Sequence, residues 1–121
     1  MRELAVIDLP AFDTGQYEGS DFSMSGGDAS LTLRIAEQES FTIYFSRVRW
    51  HEFTALPNCN PDQIRSAYFA LVDLGSTQRL SLFLASDVLS KSANYSLRHF
   101  RIFLDETGCH ELLAESASVG S

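Results

Sequence analysis

Apolar residues recur along this chain mostly with the period of two that marks strands. Leu31-Thr32-Leu33-Arg34-Ile35 alternates apolar and polar residues, and Phe41, Ile43 and Phe45 repeat the pattern, as a strand with one buried face requires. After Phe45 the phase slips by one residue: Val48 and Trp50 become the apolar positions, and Arg47, Arg49 and His51 take the other side. Such a slip predicts a β-bulge near Ser46, or a strand that leaves one sheet and enters another. The best-defined element is the last. Residues 97–104 and 109–114 flank Asp105-Glu106-Thr107-Gly108, whose Asp and Gly predict a three-residue hairpin loop with Asp105 opposite Cys109. That register pairs Leu104 with His110, Ile102 with Leu112 and Phe100 with Ala114, and puts His99, Arg101, Glu111 and Glu115 on the other face.

Helical signals are few. Asn60-Pro61-Asp62-Gln63 predicts a helix start, with Asn60 as cap, Pro61 harmless at the first position and Gln63 closing a capping box. Residues 68–74 fit helix or strand; pairing 68–72 with 80–84 across Gly75-Ser76 predicts a hairpin, and 86–92 a further short helical segment. Residues 13–30, rich in Gly, Ser and Asp, predict a long acidic loop and a candidate contact surface, and 116–121 a frayed tail. The sum is one domain spanning 1–121, mainly β: an antiparallel sandwich or strongly bent sheet with one or two short helices.

Composition narrows the partners. With 121 residues, 45% hydrophobic and 12% aromatic, the chain fills one core and not two. Sixteen acidic against nine basic side chains give a formal charge of −7, which disfavours nucleic acid and anionic lipid. The surplus sits at the ends: residues 1–45 hold eight acids and two bases, 46–104 four and seven, and 105–121 four and none. Charge interrupts Met1-Arg2-Glu3-Leu4-Ala5-Val6-Ile7-Asp8 too early for a signal peptide, and no stretch approaches the ~20 apolar residues of a membrane helix. Two cysteines, Cys59 and Cys109, make no disulfide scaffold and favour a reducing, cytoplasmic setting. Asn94-Tyr95-Ser96 matches a glycosylation sequon by chance in that setting.

No nucleophile elbow, phosphate loop, dinucleotide fingerprint, zinc-protease helix or EF-hand loop occurs, so neither a catalytic residue nor a cofactor is expected. His51, His99, His110 and Cys109 are the soft metal ligands besides Cys59, but neighbours on a strand point to opposite faces, and no metal site is expected. A nucleophilic pair of Cys59 with a distant His has no support in spacing. Asp13, Glu18, Asp21 and Asp28 match no calcium loop. Arg47, Arg49 and His51 beside Trp50 form a positive strip next to an aromatic anchor, a combination enriched at protein interfaces; the plainer reading makes Trp50 a core residue and pairs the arginines with neighbouring carboxylates. Arg47, Arg49, Trp50, His51, Asp21 and Asp28 are thus the candidate binding residues.

Through His99-Phe100-Arg101-Ile102, Asp105, Gly108 and Ala114-Glu115, the hairpin from Leu97 to Glu115 resembles the C-terminal ending of small bacterial proteins, some of them similar to immunity proteins of toxin systems. The resemblance covers 19 residues. It implies a bacterial cytoplasmic origin and a non-enzymatic, partner-binding role, and carries no functional residue to a position here. The expected function is therefore non-catalytic binding of a protein, with a homodimer compatible. Two rivals stand beside it: a small-ligand or carbohydrate-binding β-module using Trp50, Tyr17 and Tyr44 as stacking faces, and an enzyme with a site built from His51, His99 and carboxylates.

Overall fold

The computed structural model describes residues 5–86 and 96–120, which form two antiparallel sheets and two short α-helices. The first sheet has the order β1 (Ala5–Ile7), β6 (Leu71–Asp73), β7 (Arg98–Leu104), β8 (Gly108–Ala114), β5 (Trp50–Ala55). The second has the order β2 (Tyr17–Ser25), β3 (Asp28–Ile35), β4 (Phe41–Ser46), β9 (Ser116–Gly120). Their inner faces enclose one core of Leu31, Leu33, Ile43 and Phe45 against Leu71, Phe100, Ile102 and Leu112. The other face of the first sheet is covered by α1 (Pro61–Ser66) and α2 (Gln78–Ser86) through Ala67, Val72, Phe103 and Cys109 and through Leu80, Leu97 and Leu113. The mainly β, antiparallel sandwich is the architecture that the alternation predicts.

The phase slip after Phe45 is both things at once. Ser46 pairs with Ser116 in one sheet and Trp50 with Leu113 in the other, so three residues on one strand oppose two on its partner. Arg47 absorbs the extra residue at φ 52°. Hydrogen bonds run on through the corner, from Arg49 N–H to Leu113 O (2.8 Å) and from Glu115 N–H to Ser46 O (3.0 Å). A bulge that kinks a two-stranded ribbon thus carries it from one sheet to the other.

The acidic loop of 13–30 is instead a hairpin. Gly26 and Gly27 both take positive φ, as a two-residue turn between right-twisted strands demands, and β2 on one side pairs Phe22 with Leu31 and Met24 with Ala29. Asp21, Ser23 and Ser25 point to solvent from β2, an edge strand, where polar composition costs no burial. The frayed tail is also corrected: β9 pairs along β4, with Ala117 and Val119 packed on the core. The stretch 80–84 belongs to α2 and not to a strand, because Thr77 Oγ1 accepts from Leu80 N–H (3.1 Å) and starts a helix, a capping signal that competes with period two; β6, within the ambiguous 68–74, pairs with β1 and β7. The Asn60 capping box forms as expected. The short segment expected at 86–92 lies outside the described residues beyond Ser86.

The final hairpin keeps its faces but slides by two residues: Leu104 opposes Gly108, Ile102 opposes His110 and Phe100 opposes Leu112. Gly108 fixes this register. At φ 144° a Cβ there would strike the Thr54 carbonyl of β5, so the glycine meets a neighbouring strand and does not end the loop.

Candidate functional site

Each outer surface of the sandwich holds a polar constellation. On the helix side, Glu111 stands in the middle of the first sheet, directly opposite Arg101. Its Oε1 accepts from His99 Nε2 (2.6 Å) and Arg101 Nη2 (3.5 Å), and its Oε2 from Gln63 Nε2 of α1 (3.0 Å). His99 Nδ1 meets Thr77 Oγ1 at 2.8 Å, completing a hydroxyl–imidazole–carboxylate row under the N-terminus of α2. Burial alone would raise the Glu111 carboxyl, but its bonds to His99 and Gln63 and the Arg101 charge outweigh it and hold the pKa down to about 2. Arg101 bonds further to Asp62 (3.0 Å) and Ser66 (2.8 Å).

The row has the order of a catalytic triad without its access. The side chains of His99 and Glu111 are 5% and 9% exposed, Trp50 lies edge-on over the imidazole, and Arg79 stacks on Trp50 at 4.7 Å. The cavity of about 220 Å³ at that end of α2, bordered by Asp73, Gly75, Leu80 and Arg98, stops short of the row. Thr77 Oγ1 already serves as the acceptor that caps α2. What the row does is fasten both helices to the sheet.

The other two imidazoles form a pair on the core side. His51 Nε2 and His110 Nδ1 are 3.1 Å apart. Their ring centroids, 5.4 Å apart, are separated by about that distance plus two ring radii, the collinear limit, so the nitrogens face each other along one line as donor and acceptor instead of converging on an ion. Phe22 stacks on His51 at 4.1 Å and on His110 at 5.2 Å. Burial lowers both imidazoles, His110 to about 4, where His51 adds to the effect. Among the described residues no group of three or more His, Cys, Asp or Glu side chains is placed to hold a metal. Burial also pushes the Cys59 thiol up, and that of Cys109 to about 12, the reverse of what a thiolate nucleophile needs.

The outer face of the second sheet has a different character. The register aligns Ser23, Ser30, Tyr44 and Ser118 in one row across all four strands, with Asp21, Thr32, Thr42 and Gly120 in the next. Hydroxyls pair across strands: Ser23 with Ser30 (3.0 Å), Thr32 with Thr42 (2.8 Å) and Ser46 with Ser116. Tyr44 stands among them 50% exposed, its ring against Gly120, where even a Cβ would come within 3.0 Å. A shallow pocket of about 210 Å³ opens beside it, lined by Ser23, Ser25, Asp28, Ala29, Ser30 and Tyr44.

The structure disperses the positive strip. Arg47 and Arg49 sit in the corner turn, where alternation lapses: Arg47 Nη1 reaches Glu115 (3.4 Å) and Arg49 lies 5.9 Å from the Phe83 ring. His51 turns inward and Trp50 faces the helices. Asp21 is paired with Arg34, and Asp28 Oδ1 accepts the Arg47 N–H at 3.1 Å. Of the three proposed stacking residues only Tyr44 lies on the open sheet face; Tyr17 points inward, its hydroxyl on Thr107 (2.7 Å) and its ring on Phe69 (5.2 Å). The serines beside Tyr44 lie in a stretch whose Ser, Asp and Gly content signals a loop locally, although Phe22 and Met24 carry the alternation of a strand.

No family model, curated protein or solved structure matches the chain. Among the described residues no helix is long and apolar enough to cross a membrane.

Proposed function

We propose that this chain is a non-catalytic binding domain that engages a protein partner through the outer face of its second sheet. One observation carries the reading: a half-exposed Tyr44 set in a field of Ser and Thr hydroxyls and against Gly120. That composition is the one antibody paratopes use, where Tyr supplies rigid contact area and short hydroxyl side chains supply adaptable hydrogen bonds. The burial of the His99–Glu111 row supports a role without bond chemistry. In its narrower form the reading is of an immunity-like protein of the bacterial cytoplasm, supported by the surplus of acids and the hairpin resemblance. A second reading, a carbohydrate on the same face, is favoured by the pocket beside Tyr44.

The test places a photo-crosslinking residue at Ser118 of the full chain in an extract of the source organism. A discrete protein conjugate is expected that disappears with Tyr44→Ala and does not form when the crosslinker is at Arg65 on the helix side. Identical conjugates from both positions, or none, would overturn the reading; saturable binding of a neutral sugar without a conjugate would favour the carbohydrate.

A further inference from the structure

Resting on that contact face, we propose that the pocket beside Tyr44 seats a cationic side chain, Arg or Lys, presented by a basic protein partner. Asp28 supplies the anion. Its Oδ1 is held by the Arg47 N–H (3.1 Å), while the Arg47 guanidinium turns to Glu115, and among the described ion pairs none neutralises the Asp28 carboxylate. The carboxylate is thus fixed in direction and free in charge. Tyr44 supplies a ring face, which attracts a cation through its quadrupole. Ser23, Ser25 and Ser30 supply oxygens: a hydroxyl pair such as Ser23–Ser30 spends one of its two hydrogens and keeps lone pairs for incoming N–H donors.

Size and charge agree on the occupant. About 210 Å³ admits the end of one long side chain and not a packed element. A chain of formal charge −7 draws a basic partner and repels a second copy of itself. A neutral sugar would use the ring and the hydroxyls but leave the Asp28 charge unmet.

The ¹⁵N-labelled full chain is titrated with N-acetyl-arginine amide, and in parallel with the N-acetyl-citrulline amide, which is nearly isosteric and uncharged, and with methyl glucoside. Saturable shifts are expected at the amides of Ser23, Asp28, Ser30 and Tyr44 with the arginine probe, and far smaller ones with citrulline. Asp28→Asn, which keeps the acceptor for Arg47 N–H, and Tyr44→Ala should each weaken binding about two- to fivefold. Unchanged spectra, equal binding of citrulline, shifts with the glucoside instead, or indifference to Asp28→Asn would each overturn the proposal. If the cation arm fails while the Ser118 conjugate still depends on Tyr44, the contact face stands and its cationic occupant does not; if both fail, the face itself is wrong.

Discussion

Arg101 lies directly opposite Glu111 on the β7–β8 ladder, yet the carboxylate takes its shortest hydrogen bond, 2.6 Å, from His99, two rungs away on the same face. The guanidinium, at 3.5 Å, is drawn toward Asp62 and Ser66 of α1. Glu111 is therefore the knot between both helices and the sheet. Glu111→Ala leaves the Gln63, His99 and Arg101 donors buried without their acceptor, and a loss of about 3–5 kcal/mol is expected by guanidinium denaturation. Glu111→Gln keeps an acceptor oxygen and should cost less; equal losses would show that the network contributes little.

Acid should unfold the protein in two overlapping stages. His110 is held near 4 and His51 is also lowered, against 6.5 for an ordinary imidazole, so between these values the unfolded chain binds more protons. Their contribution is complete above pH 6.5 and shrinks as pH falls toward 4. Glu111, held near 2 against 4.5, contributes fully above 4.5 and loses that contribution as pH falls toward 2. Denaturation midpoints measured from pH 7 to 3 should decline from 6.5 downward. His110→Phe should flatten the first stage and leave the second; a parent profile level from 6.5 to 4.5 contradicts the assignment.

Deleting residues 116–121 should be severe. It uncovers the edge of β4 and the flanks of Ile43 and Phe45, which Val119 and Ala117 cover, and leaves an unpaired apolar strand prone to edge pairing. The expected result is a large fall in melting temperature with aggregation by light scattering. A truncated chain as stable as the parent would mean that β9 is dispensable.

Gly108→Ala should cost about 1–3 kcal/mol, since it combines a positive φ with a clash against the Thr54 carbonyl. Thermal melts measure it; a neutral change would mean that β5 can shift away from β8 without penalty.

Alternation made much of the fold legible. The patterns at 31–35 and 41–45, the slip at Ser46 and the faces of the last hairpin all appear in the strands, because the side-chain period survives any even shift of register. The hairpin's slide by two escaped for that same reason, since both registers bury the same residues. Residues 17–30 read as loop because Ser, Asp and Gly signal one locally, while an edge strand with one solvent face tolerates them; 31–35, in the same hairpin, stays legible as strand. Of the candidate binding residues, Asp28 and Asp21 border the hydroxyl face, whereas Arg47, Arg49, Trp50 and His51 are parted by the corner turn.

By itself the sequence determined the inward faces of 31–35, 41–45 and the last hairpin, where the long ribbon breaks step and that α1 begins at its Asn60 cap, since these are settled within a few residues of chain. The tertiary structure alone decided that Ser23, Ser30, Tyr44 and Ser118 form one row and that Gln63, Thr77, His99 and Glu111 form one network. Those groupings join positions up to 95 residues apart, and strand order and layer stacking, which local periodicity does not encode, are what bring them together.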